Sequence, residues 1–213
     1  MQRSAFVSII AALCLCASAQ TPPVEKALGL PPRLAATDYQ AHAQAGAITI
    51  AAEFKGHSVP MPEETIITED YIVVETAFFG PAEPRLKLSI EDFSLRVNGK
   101  KAALPNQPFG MVFQSLKNPD LEPPPSEAKK SKGSVGTGGG SNDSSPPPVF
   151  HLPPEVRHAM QQHVQKAALP LGDRVLPVAG LIFFRHGGKT QNIQSLELIY
   201  AGPAGKATLA LHP

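Results

Sequence analysis

Three histidines lie close together along the chain and could bind a metal ion. His158 and His163 fall within a predicted helix, and His151 precedes it. A helical metal pair needs a spacing of four residues, which puts both rings on one face, whereas a spacing of five separates them by about 140°. We therefore expect solvent-exposed histidines and no metal site. The remaining histidines are dispersed along the sequence: His42, His57, His186 and His212.

Adjacent carboxylates could supply the acid and base of a glycoside hydrolase. Three such pairs occur: Glu63-Glu64, Glu69-Asp70 and Glu91-Asp92. Neighbouring residues of a strand point to opposite faces, and these pairs flank predicted strand ends, where solvated charge is common. The sequence also lacks the G-x-S-x-G motif of a nucleophilic serine. We expect no catalytic residues.

The run Gly187-Gly188-Lys189-Thr190 resembles the end of a phosphate-binding P-loop. The complete motif needs a glycine five residues before Gly188, and Phe183 occupies that position. The run also follows a predicted strand without opening a helix. We expect a hairpin turn here and no nucleotide or other cofactor.

Composition narrows the classes of partner. The 213 residues include 19 basic and 18 acidic side chains, a formal net charge of +1. This balance lacks the basic excess of a nucleic-acid-binding protein. Beyond the N-terminus, no apolar run reaches the roughly 18 residues that a transmembrane helix needs. The cluster Lys129, Lys130 and Lys132 lies near acidic residues and is typical of a solubilising segment.

Residues 1–19 have the pattern of a secretory signal peptide. Arg3 precedes an apolar stretch, and Ala17-Ser18-Ala19 forms a small-x-small site that predicts cleavage between Ala19 and Gln20. Lipidation at Cys16 is the alternative, but Leu15 stands where a lipobox has a small residue. Cleavage would remove both cysteines and Arg3, leaving 18 basic and 18 acidic residues and excluding thiol chemistry from the exported chain. We expect a periplasmic or secreted protein.

The elements between these motifs are mostly strands. Short β-branched and alternating segments separated by Gly and Pro turns predict an all-β, antiparallel β-sandwich. Residues 153–169 predict one accessory helix, beginning at Pro153 and Pro154. Asn98-Gly99 predicts a hairpin turn. The predicted strands are 47–54, 69–79, 85–89, 93–97, 101–104, 179–184, 195–200 and 206–211.

The domain organisation follows from these segments. We predict an N-terminal arm over 20–44, the first part of the sandwich over 45–117, and a helical segment over 151–170. Strands in 171–213 complete the sandwich. Between them, residues 118–150 are rich in Pro, Gly and Ser and predict a disordered insertion within one domain.

The strand sequences resemble the DUF4352 family of exported immunoglobulin-like domains. The resemblance lies in 69–75 (EDYIVVE), 91–95 (EDFSL), Asn98-Gly99-Lys100, 180–184 (GLIFF) and 196–200 (LELIY). It implies an immunoglobulin-like sandwich and export, and it implies no catalytic residues.

These observations together predict an exported, non-enzymatic binding or interaction module whose partner is a protein or an envelope component. Binding would require an exposed apolar patch. A structural or accessory protein of the cell envelope is the alternative, and a hydrolase with an unrecognised site is a third.

Overall fold

A computed structural model describes residues 28–61, 65–81, 84–117 and 153–213. The predicted signal cleavage site at Ala19 and Gln20, the Cys16 alternative, the pair Glu63-Glu64 and the insertion 118–150 lie outside these residues. In the described part of the chain, no helix has the length and apolarity needed to cross a membrane.

The described residues contain two α-helices and thirteen strands. The helices are α1 Phe109–Val112 and α2 Pro154–Ala167. The strands are β1 Ala41–Ala45, β2 Ile48–Phe54, β3 Ser58–Pro60, β4 Thr65–Thr68, β5 Tyr71–Phe79, β6 Arg85–Leu88, β7 Phe93–Val97, β8 Leu104–Gln107, β9 Leu116–Lys117, β10 Gly172–Val175, β11 Val178–Arg185, β12 Leu196–Gly202 and β13 Gly205–Leu211.

Eight strands form an antiparallel sandwich that is nearly a closed barrel. Their order is β1-β2-β5-β11-β8-β7-β12-β13. Strand β8 joins the two halves, because its first residues pair with β7 and its last residues pair with β11. The end strands β1 and β13 lie side by side, and the Gln40 amide donates a hydrogen bond to the His212 carbonyl at 2.7 Å. The predicted all-β, antiparallel sandwich is confirmed, and its immunoglobulin-like character stays a prediction.

Burial of strand β5 on both faces explains why its sequence is apolar almost throughout. Its even-numbered side chains, such as Ile72 and Phe78, point into the main core between the two halves of the sandwich. Its odd-numbered side chains Tyr71 and Val73 belong to a second apolar cluster on the outer face. A strand buried on both faces loses the alternation of polar and apolar residues.

The helix α2 covers this outer face. Met160, Val164 and Ala167 are buried at helical spacing and pack in the second cluster with Val73 and Phe183. Two smaller sheets complete the structure, one pairing β6 with β10 and the other ordered β3-β4-β9.

Residues 28–40 form an arm across the outer face of β2, β5 and β11. The Leu30 N–H donates to the Ala179 carbonyl at 2.9 Å, so the arm pairs with the edge of β11. Further along, the buried Tyr39 ring packs over Ala51 and Ala77. The sheet begins at Ala41, four residues before the predicted boundary at residue 45. The sequence does not predict β1, because its Ala, His and Gln residues have little intrinsic preference for strands.

The connection between β7 and β8 agrees with one prediction and contradicts another. The chain makes a turn at Asn98-Gly99 as expected, and both residues have positive φ. The next strand runs Leu104–Gln107, so the strand predicted over 101–104 is wrong. Residues 101–103 instead lengthen the connection. The strand itself contains Pro105 and Asn106, which are uncommon in strands, and the pairing partners on both sides override this local preference.

Candidate functional site

The helix histidines point to separate surroundings. His158 is exposed on α2, whereas the His163 Nε2 lies 2.9 Å from the Pro60 carbonyl oxygen of β3. Within the described ranges, no three His, Cys, Asp or Glu residues come close enough together to hold a metal ion.

Three of the four carboxylates in the described pairs contact other residues. Glu69 forms an ion pair with Lys117 at 2.5 Å. Asp92 accepts a hydrogen bond from the Ser89 N–H at 2.8 Å, and Glu91 accepts one from the Ser89 hydroxyl at 2.6 Å. These contacts hold the 3-10 turn Ile90–Asp92 in front of β7. Glu69, Glu91 and Asp92 therefore have structural partners.

The Gly187-Gly188-Lys189-Thr190 loop is a crossover between strands. The predicted hairpin turn is wrong, because β11 pairs with β5 and β8 whereas β12 pairs with β7 and β13. The loop leads into the short 3-10 turn Thr190–Asn192. It therefore also differs from a P-loop, which continues into an α-helix at this point.

His57 fastens this loop to the end of the sandwich. Its Nδ1 lies 2.8 Å from the Tyr71 carbonyl oxygen and 2.9 Å from that of Thr68, and its Nε2 lies 3.2 Å from that of Gly188. His186 is nearby, and burial, with smaller contributions from His57 and Lys100, lowers its pKa below the ordinary value. Both ring nitrogens of His57 are engaged by backbone carbonyls, so this ring has a structural role.

A cluster of four charged side chains lies between the arm and the sheet. Glu53 of β2 and Glu75 of β5 are paired in register, and Arg33 and Lys55 approach both of them. The Lys55 Nζ is 2.6 Å from Glu53 and 3.0 Å from Glu75, and the Arg33 guanidinium is 3.2 Å from Glu75. Arg33 also stacks on the Tyr39 ring, 4.4 Å from its centroid. We call these four residues the arm charge cluster: Arg33, Glu53, Lys55 and Glu75.

The electrostatics of the arm charge cluster favour the ionised forms of Glu53 and Lys55. Burial by itself raises the pKa of Glu53, but hydrogen bonds from Lys55 and Arg33 and their charges outweigh burial and hold it below its ordinary value. Burial lowers the pKa of Lys55, but hydrogen bonds and charges of Glu53 and Glu75 raise it above its ordinary value. A carboxylate such as Glu53, which two cations hold ionised, is poorly suited to act as a general acid. The cluster therefore attaches the arm to the sheet.

An apolar cleft opens along the edge of β11 that lies opposite β5. Strand β8 and the segment that follows α2 both form hydrogen bonds to this edge. The Leu169 N–H donates to the Leu181 carbonyl at 2.9 Å, and β8 pairs with β11 two residues further on, at Phe183. The two segments diverge between these points and leave a cleft of about 90 Å³. We call it the β8 cleft. Its lining residues are Ile90, Asn106, Gln107, Pro108, Phe109, Ala168, Leu169, Leu171, Leu181, Ile182 and Phe183.

The β8 cleft is apolar at its floor and open at its mouth. Leu181 and Phe183 are each 1% exposed, whereas Leu171 is 39% exposed and Pro108 is also exposed. The Asn106 carboxamide oxygen accepts a hydrogen bond from the Phe183 N–H at 3.1 Å and so replaces a strand partner. None of the described residues that line the cleft carries a charge. The arrangement can hold an uncharged apolar group.

Sequence reasoning missed both features. Glu53 and Glu75 are single charges inside otherwise uncharged strands, and that placement could have indicated a buried ion pair. The β8 cleft gives no comparable signal, because its lining comes from four separate stretches of the chain that are brought together only in the folded structure.

Comparisons with family models, with curated proteins and with solved structures found no match to this chain. The resemblance to DUF4352 domains therefore stays a prediction.

Proposed function

We propose that this chain is an exported module that binds a partner without catalysing a reaction. The observation that carries the proposal is the β8 cleft, which is concave, apolar at its floor and open to solvent. Binding sites for small groups are typically concave and mostly apolar, with a few polar groups that fix orientation. Asn106 and Gln107 are the polar groups of this kind in the β8 cleft.

The side chains that line the cleft favour binding over catalysis. The described lining residues include no carboxylate, histidine, cysteine or serine. General acid–base or nucleophilic catalysis would need such a group within hydrogen-bond reach of the bound molecule. Export is supported by the N-terminal pattern of residues 1–19, with its small-x-small site before Gln20.

Selection of peptides from a displayed random library tests the binding function. The bait is the purified chain, and the blocked variant is Leu171→Trp, which places a large ring at the exposed mouth. Leu34→Trp is the matched control, because Leu34 is fully exposed and lies outside the cleft lining. We expect the wild type and Leu34→Trp to enrich common peptides that Leu171→Trp does not retain. Equal enrichment by all three proteins, or none, would contradict the proposal.

Mass spectrometry of the protein from its native source tests export and separates binding from the envelope alternative. A soluble exported species that begins at Gln20 is the expected result. A membrane-bound species that begins at a modified Cys16 would instead favour an accessory protein of the cell envelope.

A further inference from the structure

We propose that the β8 cleft holds one aliphatic side chain of an uncharged peptide segment. This inference rests on the proposed binding function and names the chemistry of the partner. It follows from three properties of the cleft: its volume, its lack of charge and the Gln107 carboxamide at its edge.

The volume of the cleft selects the size of the bound group. An engineered apolar protein cavity of about 150 Å³ binds benzene. The β8 cleft, at about 90 Å³, is smaller than that and suits a branched aliphatic side chain better than an aromatic ring. A lipid acyl chain would need a much longer apolar channel. The cleft therefore fits a single side chain.

The uncharged lining of the cleft selects against a charged group. Burying an ionised group without a partner is strongly unfavourable, and the described lining residues offer no ion-pair partner. An acidic or basic side chain at this position is consequently disfavoured relative to a neutral one.

Gln107 selects for a peptide group next to the side chain. Its only side-chain hydrogen bond among the described residues is a long one, 3.4 Å from its amide nitrogen to the Pro105 carbonyl. Its neighbour Asn106 is already committed to the Phe183 N–H. A carboxamide carries both a donor and an acceptor, which is the complement of a backbone peptide group. Gln107 can therefore bond to the main chain of a peptide whose side chain fills the cleft.

Titrations followed by backbone and methyl NMR of the full chain test this inference. The probe is N-acetyl-leucine-N′-methylamide, which has one aliphatic side chain between two peptide groups. We expect saturable shifts at Leu169, Leu171 and Leu181. We expect binding about tenfold weaker for the phenylalanine analogue, and no saturable binding for the glutamate and lysine analogues.

Substitutions at Gln107 and at a control position, Gln165, test the role of the Gln107 carboxamide. Gln107→Leu keeps the size of the side chain and removes its hydrogen-bonding groups, and we expect about fivefold weaker binding of the leucine probe, the loss of one hydrogen bond. Gln165→Leu, on the exposed surface of α2, is the matched control and should bind like the wild type.

The outcomes separate this inference from the proposed function. Isobutane, which has the branched hydrocarbon but no peptide group, is the comparison ligand. If isobutane shifts the cleft methyl groups while the leucine probe does not, or if Gln107→Leu binds the probe like the wild type, the peptide inference is wrong and the cleft still binds apolar groups. If neither ligand gives saturable shifts at the cleft, the proposed binding site fails as well.

Discussion

The substitution Glu75→Gln tests whether the arm charge cluster stabilises the fold. Glu75 is the most buried member, with its side chain 9% exposed, against 26% for Glu53 and 31% for Arg33. Glutamine preserves the shape of the side chain and removes its charge. The two cations, Arg33 and Lys55, would then share one carboxylate, and the cluster would carry a net positive charge at neutral pH.

The expected cost is about 2 kcal/mol of unfolding free energy. Breaking a fully buried ion pair costs about 3–5 kcal/mol, and losing a hydrogen bond to a charged group costs about 1.5–3 kcal/mol. The lower range applies because Arg33 and Lys55 keep Glu53 as a partner and remain partly accessible to water. Solvent screening reduces the cost of removing an exposed pair to about 0.5 kcal/mol. Glu197→Gln, which breaks the exposed pair with Arg96, is therefore the matched control.

Urea unfolding followed by circular dichroism measures this difference. With a slope of about 2 kcal/mol per molar urea, Glu75→Gln should lower the midpoint by about 1 M, and Glu197→Gln by about a quarter of that. The dependence of stability on pH below neutrality provides a second test. Because the folded pKa of Glu53 is depressed, its contribution is present above about pH 4.3 and is lost as the pH falls through the folded value. Equal midpoints for both variants would refute the reasoning about burial.

Three further substitutions probe other parts of the fold. The buried Thr76 hydroxyl has no hydrogen-bond partner among the described residues, so Thr76→Val should raise the unfolding free energy by about 1 kcal/mol, and a loss in urea unfolding would contradict this. Gly180→Ala would place a Cβ 2.4 Å from the Leu169 Cα and should cost about 3 kcal/mol, whereas Gly110→Ala meets open space and should cost nothing. The pKa of His186 is lower in the folded chain, so its contribution to stability is present above about pH 6.5 and is lost as the pH falls; His186→Gln should flatten the decline between pH 7 and 5, and equal slopes would show that this histidine does not titrate on unfolding.

The sequence predicts those elements whose side-chain pattern is set by the main core. Strand β7 agrees residue for residue with the predicted range, because Phe93, Leu95 and Val97 alternate with polar residues and face the interior. The helix α2 is also predicted within two residues, from its N-terminal prolines and apolar stripe. Both elements carry their own local signal.

The strands that escape prediction are stabilised by their neighbours instead. Strand β8 reads Leu-Pro-Asn-Gln, which by itself is typical of a turn, yet it pairs on both edges and joins the two halves of the sandwich. The β8 cleft depends on this pairing, because its position is set by where β8 leaves β11. A candidate site built in this way could not be derived before the strand order was known.

The arm and the β8 cleft share one structural element. The Gly29 N–H donates to the Lys166 carbonyl at 2.8 Å, at the end of α2. A Cβ added at Gly29 would lie 2.9 Å from Pro170, so the arm touches the segment that follows the helix. The same segment supplies Leu169 and Leu171 to the cleft wall. The position of the wall therefore depends on the arm, and the arm depends on its charge cluster.

This coupling predicts that Glu75→Gln weakens binding at a site that Glu75 does not touch. Loosening the arm should let the cleft wall sample open conformations. Remote effects of this kind include coupling free energies of about 0.7 kcal/mol. We therefore expect about threefold weaker binding of N-acetyl-leucine-N′-methylamide. Glu197→Gln should leave the affinity unchanged. A Glu75→Gln protein that is destabilised in urea but binds the probe like the wild type would show that the arm stabilises the sandwich without positioning the wall of the β8 cleft.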